Sequence, residues 1–288
     1  MSEAANDLEA VRWTAYAPLD AGTKVKFEAA ANDVGEGLRR WRNWSYLAAE
    51  KVRNHYRRTV LGPWWVTVQT AVWVTGIAFV FGQVNQEPLK TFLPYVAVGY
   101  ITFGLIMGLT RAGASVFVRN AGTMKSTRQA LSSLVLRDVA SEFITFAHTI
   151  VLYLVMLVAG VVPLSPKMLI ALPVLGLIAV NGLFVGLWLG PTVARFRDVE
   201  PFVNSILAVA IFFCPIFYHS DSLSSGVRAG VLTWNPFAYL IDAFRAPLIG
   251  DGLSPSFYIG LGIVTAVNAL LALVVFTTTR SRLPYWVA

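Results

Sequence analysis

The sequence predicts an all-α membrane protein with six transmembrane helices, an N-terminal amphipathic interface helix and a re-entrant pair of short helices before the last span. Two observations come from composition: 56% of the residues are hydrophobic and only 14% are charged, with a mean hydropathy of +0.60. Soluble domains rarely combine these values. The third observation is that Lys and Arg are concentrated between long apolar stretches, as in polytopic membrane proteins.

Six apolar stretches approach or exceed the length of about 20 residues that a helix needs to cross the hydrocarbon core. They contain no Lys, Arg, Asp or Glu. Most of these side chains cost about 2.5–3.5 kcal/mol at the centre of an inserted helix. The predicted spans, within a six-helix transmembrane domain at 63–282, cover residues 63–82, 92–109, 143–162, 168–190, 202–218 and 257–276.

The distribution of positive charge predicts the orientation of these spans. Nineteen of the 23 Lys and Arg residues lie in the N-terminal segment, in the second-to-third and fourth-to-fifth connections, and in the C-terminal tail. Because cationic loops are retained in the cytoplasm, both termini are expected there, with the chain in a bacterial inner membrane. The net charge of +7 therefore belongs to membrane topology, and no nucleic-acid partner is expected.

The segment before the first span divides into two parts. Residues 1–40 form a cytoplasmic extension whose mixed polarity and lack of a helical period predict a mobile segment, dispensable for the core activity. Residues 41–62 place apolar side chains at helical spacing with Arg and Lys between them, which predicts a helix lying in the membrane surface. Its basic face either only anchors on anionic lipid or also receives an anionic substrate head group.

The connection between the second and third spans, residues 111–142, is rich in basic and hydroxyl side chains. An amphipathic helix over residues 123–134 would give it a docking face, whereas the alternative is a solvated loop that only enforces topology. The polar residues of interest in this loop are Lys125, Ser126, Thr127 and Arg128.

The outer connection before the last span, residues 219–256, is long and strongly apolar. Pro236 and Pro247 interrupt it, so neither half reaches the length needed to cross the bilayer. Non-helical backbone at membrane depth is tolerated only where protein or a cavity surrounds it. This connection therefore predicts a re-entrant pair of short helices that caps a pathway at the outer face.

Several kinds of site have no signature in this sequence. Neither G-x-x-x-x-G-K-[ST] nor H-E-x-x-H occurs, so we expect no nucleotide cofactor, metal site or catalytic residue in this chain. The predicted spans lack the carboxylates that ion-coupled carriers need. Asp138 and Glu142 lie four residues apart and share one helical face, as the paired carboxylates of a general acid–base catalyst would. Arg137 and the basic loop offer them charge partners, so simple ion pairing is the favoured interpretation. Cys214 is interpreted as a packing residue, and His148 as a neutral side chain hydrogen-bonded to a neighbouring helix.

Small residues spaced four apart predict close helix packing within the bundle. They are Gly104 and Gly108 in the second span and Gly182, Gly186 and Gly190 in the fourth.

Aromatic residues in or near the first and fifth spans have two interpretations. Sugars stack on aromatic faces, so these rings would line a saccharide conduit; alternatively they face lipid or the membrane interface. The residues concerned are Trp73, Phe79, Phe212, Phe213, Phe217 and Tyr218.

Three motifs carry a resemblance to a known family. They are YRRTVLGPWW at 56–65, ARFRDV at 194–199 followed by FFCPIFY at 212–218, and WNPFAYLIDAFRAPL at 234–248. With the six-span plan, they resemble the permeases of ATP-binding-cassette (ABC) exporters for polysaccharide, O-antigen and teichoic-acid chains, over roughly residues 40–280. Members of that family often carry prolines after the coupling loop, whereas residues 126–136 contain none.

The resemblance implies a homodimer bound to two copies of a separate nucleotide-binding ATPase, which holds ATP and Mg. The loop at 111–142 would contain the coupling helix, and the segment 219–256 would form the external gate. The gate residues would be Asn235, Pro236, Tyr239, Asp242 and Arg245.

The resemblance also implies a substrate, an undecaprenyl-linked polysaccharide such as O-antigen or a capsular glycan. Its anionic pyrophosphate would enter beside the interface helix, near Arg53, Tyr56, Arg57 and Arg58. One alternative is an exporter of drugs or lipids from the same superfamily. Another is a membrane-embedded lipid-modifying enzyme that works without an ATPase, and co-purification with a nucleotide-binding subunit distinguishes it from a transporter.

Overall fold

A computed structural model describes residues 22–127, 129–219, 234–252 and 255–287 of the chain. The predictions for residues 1–21, for Arg128 and for the first half of the re-entrant pair at 220–233 lie outside these residues. Within the described ranges the secondary structure is entirely helical, and no strand occurs there.

Twelve α-helices are labelled in chain order over the described residues. They are α1 Thr23–Arg39, α2 Trp41–His55, α3 Trp64–Asn85, α4 Leu89–Arg119, α5 Ala121–Ser126, α6 Leu131–Thr149, α7 Val151–Val158, α8 Ala171–Arg195, α9 Val199–Phe213, α10 Pro236–Ile249, α11 Pro255–Thr279 and α12 Leu283–Trp286. Short 3-10 turns at Pro166–Ile170 and Arg280–Arg282 lead into α8 and α12.

Five helical segments are long and apolar enough to cross a membrane, and they match the first four predicted spans and the last one. They are Trp64–Asn85, Leu89–Arg119, Leu131–Val158, Pro166–Arg195 and Phe257–Trp286. The chain is therefore a multi-pass membrane protein by length and composition.

The fifth predicted span, residues 202–218, corresponds to a shorter apolar helix. Helix α9 has 15 residues and ends at Phe213, because Cys214 takes an extended conformation before Pro215. A helix of this length rises about 22 Å, which is less than the hydrocarbon thickness of about 30 Å.

The connection at 111–142 is mostly helical, in contrast to the predicted loop. Helix α4 continues to Arg119, and α6 already begins at Leu131. The predicted helix over 123–134 is wrong in its bounds: α5 stops at Ser126, and Ala130 is extended immediately before α6.

The N-terminal segment is ordered from residue 23, so the prediction of a mobile extension is wrong for residues 23–39. Helix α1 packs against α6 and α11, and it buries Ala29, Ala30, Asp33 and Gly37. Helix α2 lies within the predicted interface segment and packs Ala48 and Val52 toward α6. The chain then turns into α3 through residues 56–63, where Arg58 and Gly62 take positive φ angles of 70° and 58°.

Helix α4 lies at the centre of the bundle and contacts α3, α6, α8, α9 and α10. Its closest neighbour is α8: a Cβ atom at Gly113 would lie 2.9 Å from the Cα of Gly186, and one at Gly190 would lie 2.9 Å from the carbonyl oxygen of Gly113. The predicted close packing at Gly186 and Gly190 is therefore confirmed. Gly182 instead receives the side chain of Leu109.

A polar network joins α8 to α11 between otherwise apolar faces. Asn181 donates to Thr265 Oγ1 at 2.9 Å, and Asn268 donates to Asn181 Oδ1 at 3.0 Å. Trp188 Nε1 donates to Asn268 Oδ1 at 3.2 Å. Because water is scarce between such helices, these side chains satisfy one another and fix the pairing of α8 with α11.

The two ends of the bundle differ in charge. We call the end that carries α1, α2, α5, the start of α6 and the C-terminal residues 280–287 the basic end. Ion pairs of Lys and Arg join α1 to the C-terminal residues there, and join α2 and α4 to α6. A basic-end cluster of buried apolar side chains lies beneath them. It comprises Ala30, Val116, Phe117, Met124, Leu131, Leu134, Val135, Leu187, Ala194, Ala272, Phe276, Leu283 and Val287.

Candidate functional site

A cavity of about 790 Å³ opens between α3, α4, α6 and α9. Its walls are largely apolar and include the aromatic side chains of Trp65, Trp73 and Tyr100. Trp73 stacks on Tyr100 with a ring-centroid distance of 6.3 Å and an interplanar angle of 12°. Apolar, aromatic walls with a few polar groups are typical of ligand sites.

Helical spacing brings one stripe of α4 to this cavity. Tyr100, Gly104, Gly108 and Arg111 recur at intervals of three or four residues, so they lie on one face of the helix. A Cβ atom at Gly104 would meet nothing within 4 Å. The prediction that Gly104 mediates helix packing is therefore wrong, because its missing side chain leaves open space in the cavity.

The end of the cavity nearest the basic end is polar. Gln69, Arg111, Glu142 and Thr145 line it, and Gly108 lies directly against the carboxylate of Glu142. No ion-pair partner lies within 4.0 Å of the Arg111 guanidinium among the described residues, so this cation is available to a bound anion.

Asp138, one turn before Glu142, is an ion-pair centre with no free carboxylate oxygen. Lys51 Nζ lies 2.9 Å from Oδ1, Arg119 Nη2 lies 2.8 Å from Oδ2, and Arg137 Nη2 lies 3.1 Å from Oδ1. The predicted charge partners of Asp138 are therefore confirmed. Because three cations hold it, Asp138 is poorly suited to act as a general base.

Only one of the predicted conduit aromatics, Trp73, lines this cavity. Phe79 is 62% exposed on another face of α3, and Phe212 and Phe213 are exposed on α9. Phe217 is buried against Phe81 with ring centroids 5.1 Å apart. The remaining residue, Tyr218, accepts a hydrogen bond from Tyr95 through its carbonyl oxygen.

The structure places the predicted pyrophosphate residues outside the cavity lining, around the end of α2. Arg53 is paired with Glu50 on the exposed face, and the hydrogen bond from Arg53 lowers the pKa of the Glu50 carboxyl. Arg57 and Arg58 are exposed in the turn that follows. Tyr56 is half-buried beside His55, and burial raises the pKa of its phenol.

The predicted coupling residues lie at the end of α5. Lys125, Ser126 and Thr127 are exposed, whereas the preceding Met124 is buried in the basic-end cluster. The helix therefore presents a polar tip to solvent and is fixed underneath by an apolar anchor.

The predicted gate residues fix α10 in place. Asn235 caps the start of α10: its Oδ1 accepts from the Phe237 amide at 3.0 Å, and Pro236 is the first residue of the helix. Asn235 Nδ2 donates to the Phe213 carbonyl at 2.8 Å. Tyr239 contacts Phe257 edge-on at 5.6 Å. These contacts join α10 to the end of α9 and to α11.

Asp242 and Arg245, further along α10, form a buried ion pair. The Arg245 guanidinium lies 3.7 Å from the centroid of the Tyr95 ring, and it also donates to the Pro215 carbonyl. This network ties α10 to α4 and to the segment after α9. Nothing in the local sequence around Tyr95 indicates these partners, which lie more than 100 positions away in the chain.

His148 differs from its prediction. Its Nδ1 atom is hydrogen-bonded to the Ile144 carbonyl at 2.7 Å within its own helix, and Trp64 of α3 contacts the ring edge-on at 5.3 Å. Among the described residues, no group of three His, Cys, Asp or Glu side chains is arranged to hold a metal ion.

Sequence reasoning missed most of the cavity lining, including Trp65, Gln69, Tyr100 and Arg111. The usable signal was the stripe of α4 at 100, 104, 108 and 111, in which two glycines separate an aromatic residue from a cation. Of these four residues, only Gly104 and Gly108 carry a prediction from the sequence, that of close helix packing.

Comparison with known proteins identifies relatives that match most of the chain. The sequence matches the ABC-2 type transporter family over residues 38–249, well over half of the chain. It is also 25% identical over 234 residues to the O-antigen export system permease protein RfbA of Klebsiella pneumoniae, a match that covers 81% of this chain and 89% of that protein.

Proposed function

The chain belongs to the ABC-2 type transporter family and is a permease of the O-antigen export type, and from this premise we propose that it moves a lipid-linked polysaccharide across the bacterial inner membrane as the transmembrane subunit of an ATP-driven exporter. Membership of this family implies an ABC ATPase as partner. In the proposal that ATPase binds ATP and Mg, because this chain has no phosphate-binding loop of its own.

The observation that carries the proposal is the cavity between α3, α4, α6 and α9. The stacked pair of Trp73 and Tyr100 offers flat apolar surface to the CH faces of sugar rings, and Gln69 and Thr145 offer hydrogen bonds to hydroxyl groups. Arg111 supplies a positive charge at the polar end. A glycan linked to an anionic phosphate matches this combination of groups.

The proposed topology has six spans, with α9 and residues 214–218 together forming the fifth. The basic end faces the cytoplasm, since Lys and Arg are retained on that side, and both chain termini lie there. Helix α2 is then the interface helix in anionic lipid, and α10 is the second half of the re-entrant pair. In this arrangement Arg53, Tyr56, Arg57 and Arg58 meet the substrate pyrophosphate as it leaves the cytoplasmic leaflet.

We further propose a homodimer with two ATPase copies. Helix α9 carries the exposed side chains of Phe202, Ile206, Val209 and Phe212. A second copy of the chain would cover such a face and place Phe212 and Phe213 beside a shared path. ATP binding and hydrolysis would move α5, open this path between the two copies, and close it again at α10.

A reconstitution experiment tests the proposal. The chain is purified with its ABC ATPase, placed in proteoliposomes, and supplied with undecaprenyl-linked glycan, while translocation is measured with and without ATP. We expect transport that requires ATP and is lost when the ATPase is catalytically inactive. Transport of glycan by the isolated chain without ATP would overturn the mechanism.

The same preparation separates the alternatives. Turnover of a lipid substrate by the isolated chain would indicate an enzyme, although the three cations on Asp138 disfavour that chemistry. ATP-dependent movement of drugs or simple lipids, with no movement of glycan, would indicate another exporter of the superfamily.

A further inference from the structure

Asp33 of α1 is a buried carboxylate that binds two distant parts of the chain. Its side chain is fully buried, and it accepts from the backbone amides of Leu131 at 3.1 Å and Ser132 at 2.9 Å. Arg280, with a side chain only 5% exposed, donates to Asp33 Oδ2 through Nε at 2.9 Å, and its Nη2 lies 2.8 Å from the same oxygen. Three segments therefore meet at one carboxylate.

The amides of Leu131 and Ser132 are the first two of α6. Such amides have no partner within their own helix, and a negative charge placed there is stabilised by the helix dipole. The preceding residue, Ala130, has no side chain that can cap them. Asp33 therefore supplies the cap from 98 residues away. The Ser132 hydroxyl adds a bond of 2.8 Å to the Asp33 carbonyl.

This contact holds the segment that follows α5. Residues 127, 129 and 130 are the described part of the short link between α5 and α6, so a fixed start of α6 limits where α5 can lie. From below, Met124 of α5 packs in the basic-end cluster with Ala30 of α1 and Leu283 of the C-terminal tail. The position of α5 is therefore restrained at two points, by the short connection to α6 and by the buried side chain of Met124.

Asp33 and Arg280 both lie outside residues 38–249, the segment that matches the ABC-2 type transporter family. From these contacts, we propose that Asp33, with Arg280, is a positioning residue that makes α5 and the start of α6 one rigid unit, so that a displacement of α5 by the ATPase is transmitted into the α6 span. The inference rests on the proposed function, in which α5 is the ATPase contact.

Hydrogen exchange tests the contact itself, independently of transport. In the full complex, Asp33→Asn should speed exchange in peptides spanning residues 129–134 by about tenfold, because one amide of α6 loses its acceptor. Glu36→Gln, on the exposed face of the same helix, is the matched control and should change nothing there.

Coupling is read as glycan translocated per ATP hydrolysed. We expect Asp33→Asn to lower this ratio about fivefold while ATP hydrolysis and ATPase binding stay near wild type. The Asp33→Asn/Arg280→Gln double variant should lose less than the sum of the two single variants, because both changes remove the same ion pair. If Asp33→Asn is not recovered from membranes, Arg280→Gln, which keeps the carboxylate on both amides, should show a smaller loss in the same direction.

The outcomes separate the two proposals. A wild-type complex that hydrolyses ATP without moving glycan would contradict the proposed function, while the exchange measurement still tests the contact. If Asp33→Asn exchanges faster at 129–134 but keeps the wild-type ratio of transport to hydrolysis, Asp33 only stabilises the start of α6. That result would overturn the positioning role. Unchanged exchange would overturn it as well.

Discussion

Lys51 Nζ donates to Asp138 Oδ1 at 2.9 Å and thereby joins α2 to α6 across 87 residues of sequence. The same ammonium donates to Ser141 Oγ at 3.0 Å, one turn further along α6. Arg119, the last residue of α4, reaches the other carboxylate oxygen at 2.8 Å. One carboxylate therefore connects the interface segment with two of the membrane helices beside the cavity.

Removing this carboxylate should destabilise the bundle strongly. Asp138 is 2% exposed, and Asp138→Asn leaves three cations without their shared partner, which predicts a loss of about 3 kcal/mol. Lys51→Met should cost only about 1 kcal/mol, because Lys51 is partly exposed and both arginines remain. Thermal unfolding in detergent, followed by size-exclusion chromatography, compares the two with Glu50→Gln, which breaks an exposed pair and should have little effect.

Apolar length and the absence of charged residues were sufficient to predict five helices that are long and apolar enough to cross a membrane. They could not predict the shorter α9, because Cys214 and Pro215 are compatible with a continuous apolar stretch while the backbone leaves the helix there. Nor could they predict α1. Its buried face consists of small residues and Asp33, and the partners of Asp33 lie 98 and more residues away.

The cavity was harder to predict than the spans. Helix α3 is apolar on every face, so its sequence does not distinguish Trp73, which faces the cavity, from Phe79, which faces outward. The facing of such a helix is set by its neighbours, in particular by the open stripe that Gly104 leaves on α4. The sequence indicated charge partners for Asp138 but not the pairing of Asp33 with Arg280, which lie 247 residues apart.

The close approach of α4 and α8 predicts a large difference between two glycine substitutions on one helix. Gly113→Ala would place a methyl group 2.9 Å from the Cα of Gly186, which should destabilise the protein by about 1–3 kcal/mol. Gly104→Ala adds the same methyl where nothing lies within 4 Å. It should leave the unfolding temperature in detergent unchanged, and equal losses in both variants would contradict the described packing.

The Asn network between α8 and α11 should contribute modestly. Asn268→Ala removes the bonds to Asn181 and Trp188, and interhelical bonds in membranes average about 0.6 kcal/mol, so we expect a loss of about 1 kcal/mol. A double-mutant cycle with Asn181→Ala should show non-additivity. Thr278→Ala, which removes a bond within α11 alone, is the control.

Glycan transport should respond to Trp73 more than to Phe79. Trp73→Ala removes the stacked surface in the cavity and should reduce translocation by about fivefold to tenfold, since an aromatic stacking contact is worth about 1 kcal/mol. Phe79→Ala, on the same helix and of similar exposure, should have a small effect. A reversed order would place the transport path on the outer face of α3.

The arginines after α2 offer a final test of how the substrate approaches. No carboxylate lies within 4.0 Å of Arg57 or Arg58 among the described residues, so their charges are open to an anionic head group. Each such cation is worth about 1 kcal/mol near an anionic surface, so the Arg53→Ala/Arg57→Ala/Arg58→Ala variant should lose more than about tenfold in export while inserting normally. Lys24→Ala/Arg39→Ala/Arg42→Ala removes the same charge from exposed positions of α1 and α2 and should keep export near wild type. An equal loss in both variants would assign these arginines to general anchoring on lipid, whereas unchanged export in the first variant would remove them from the substrate path.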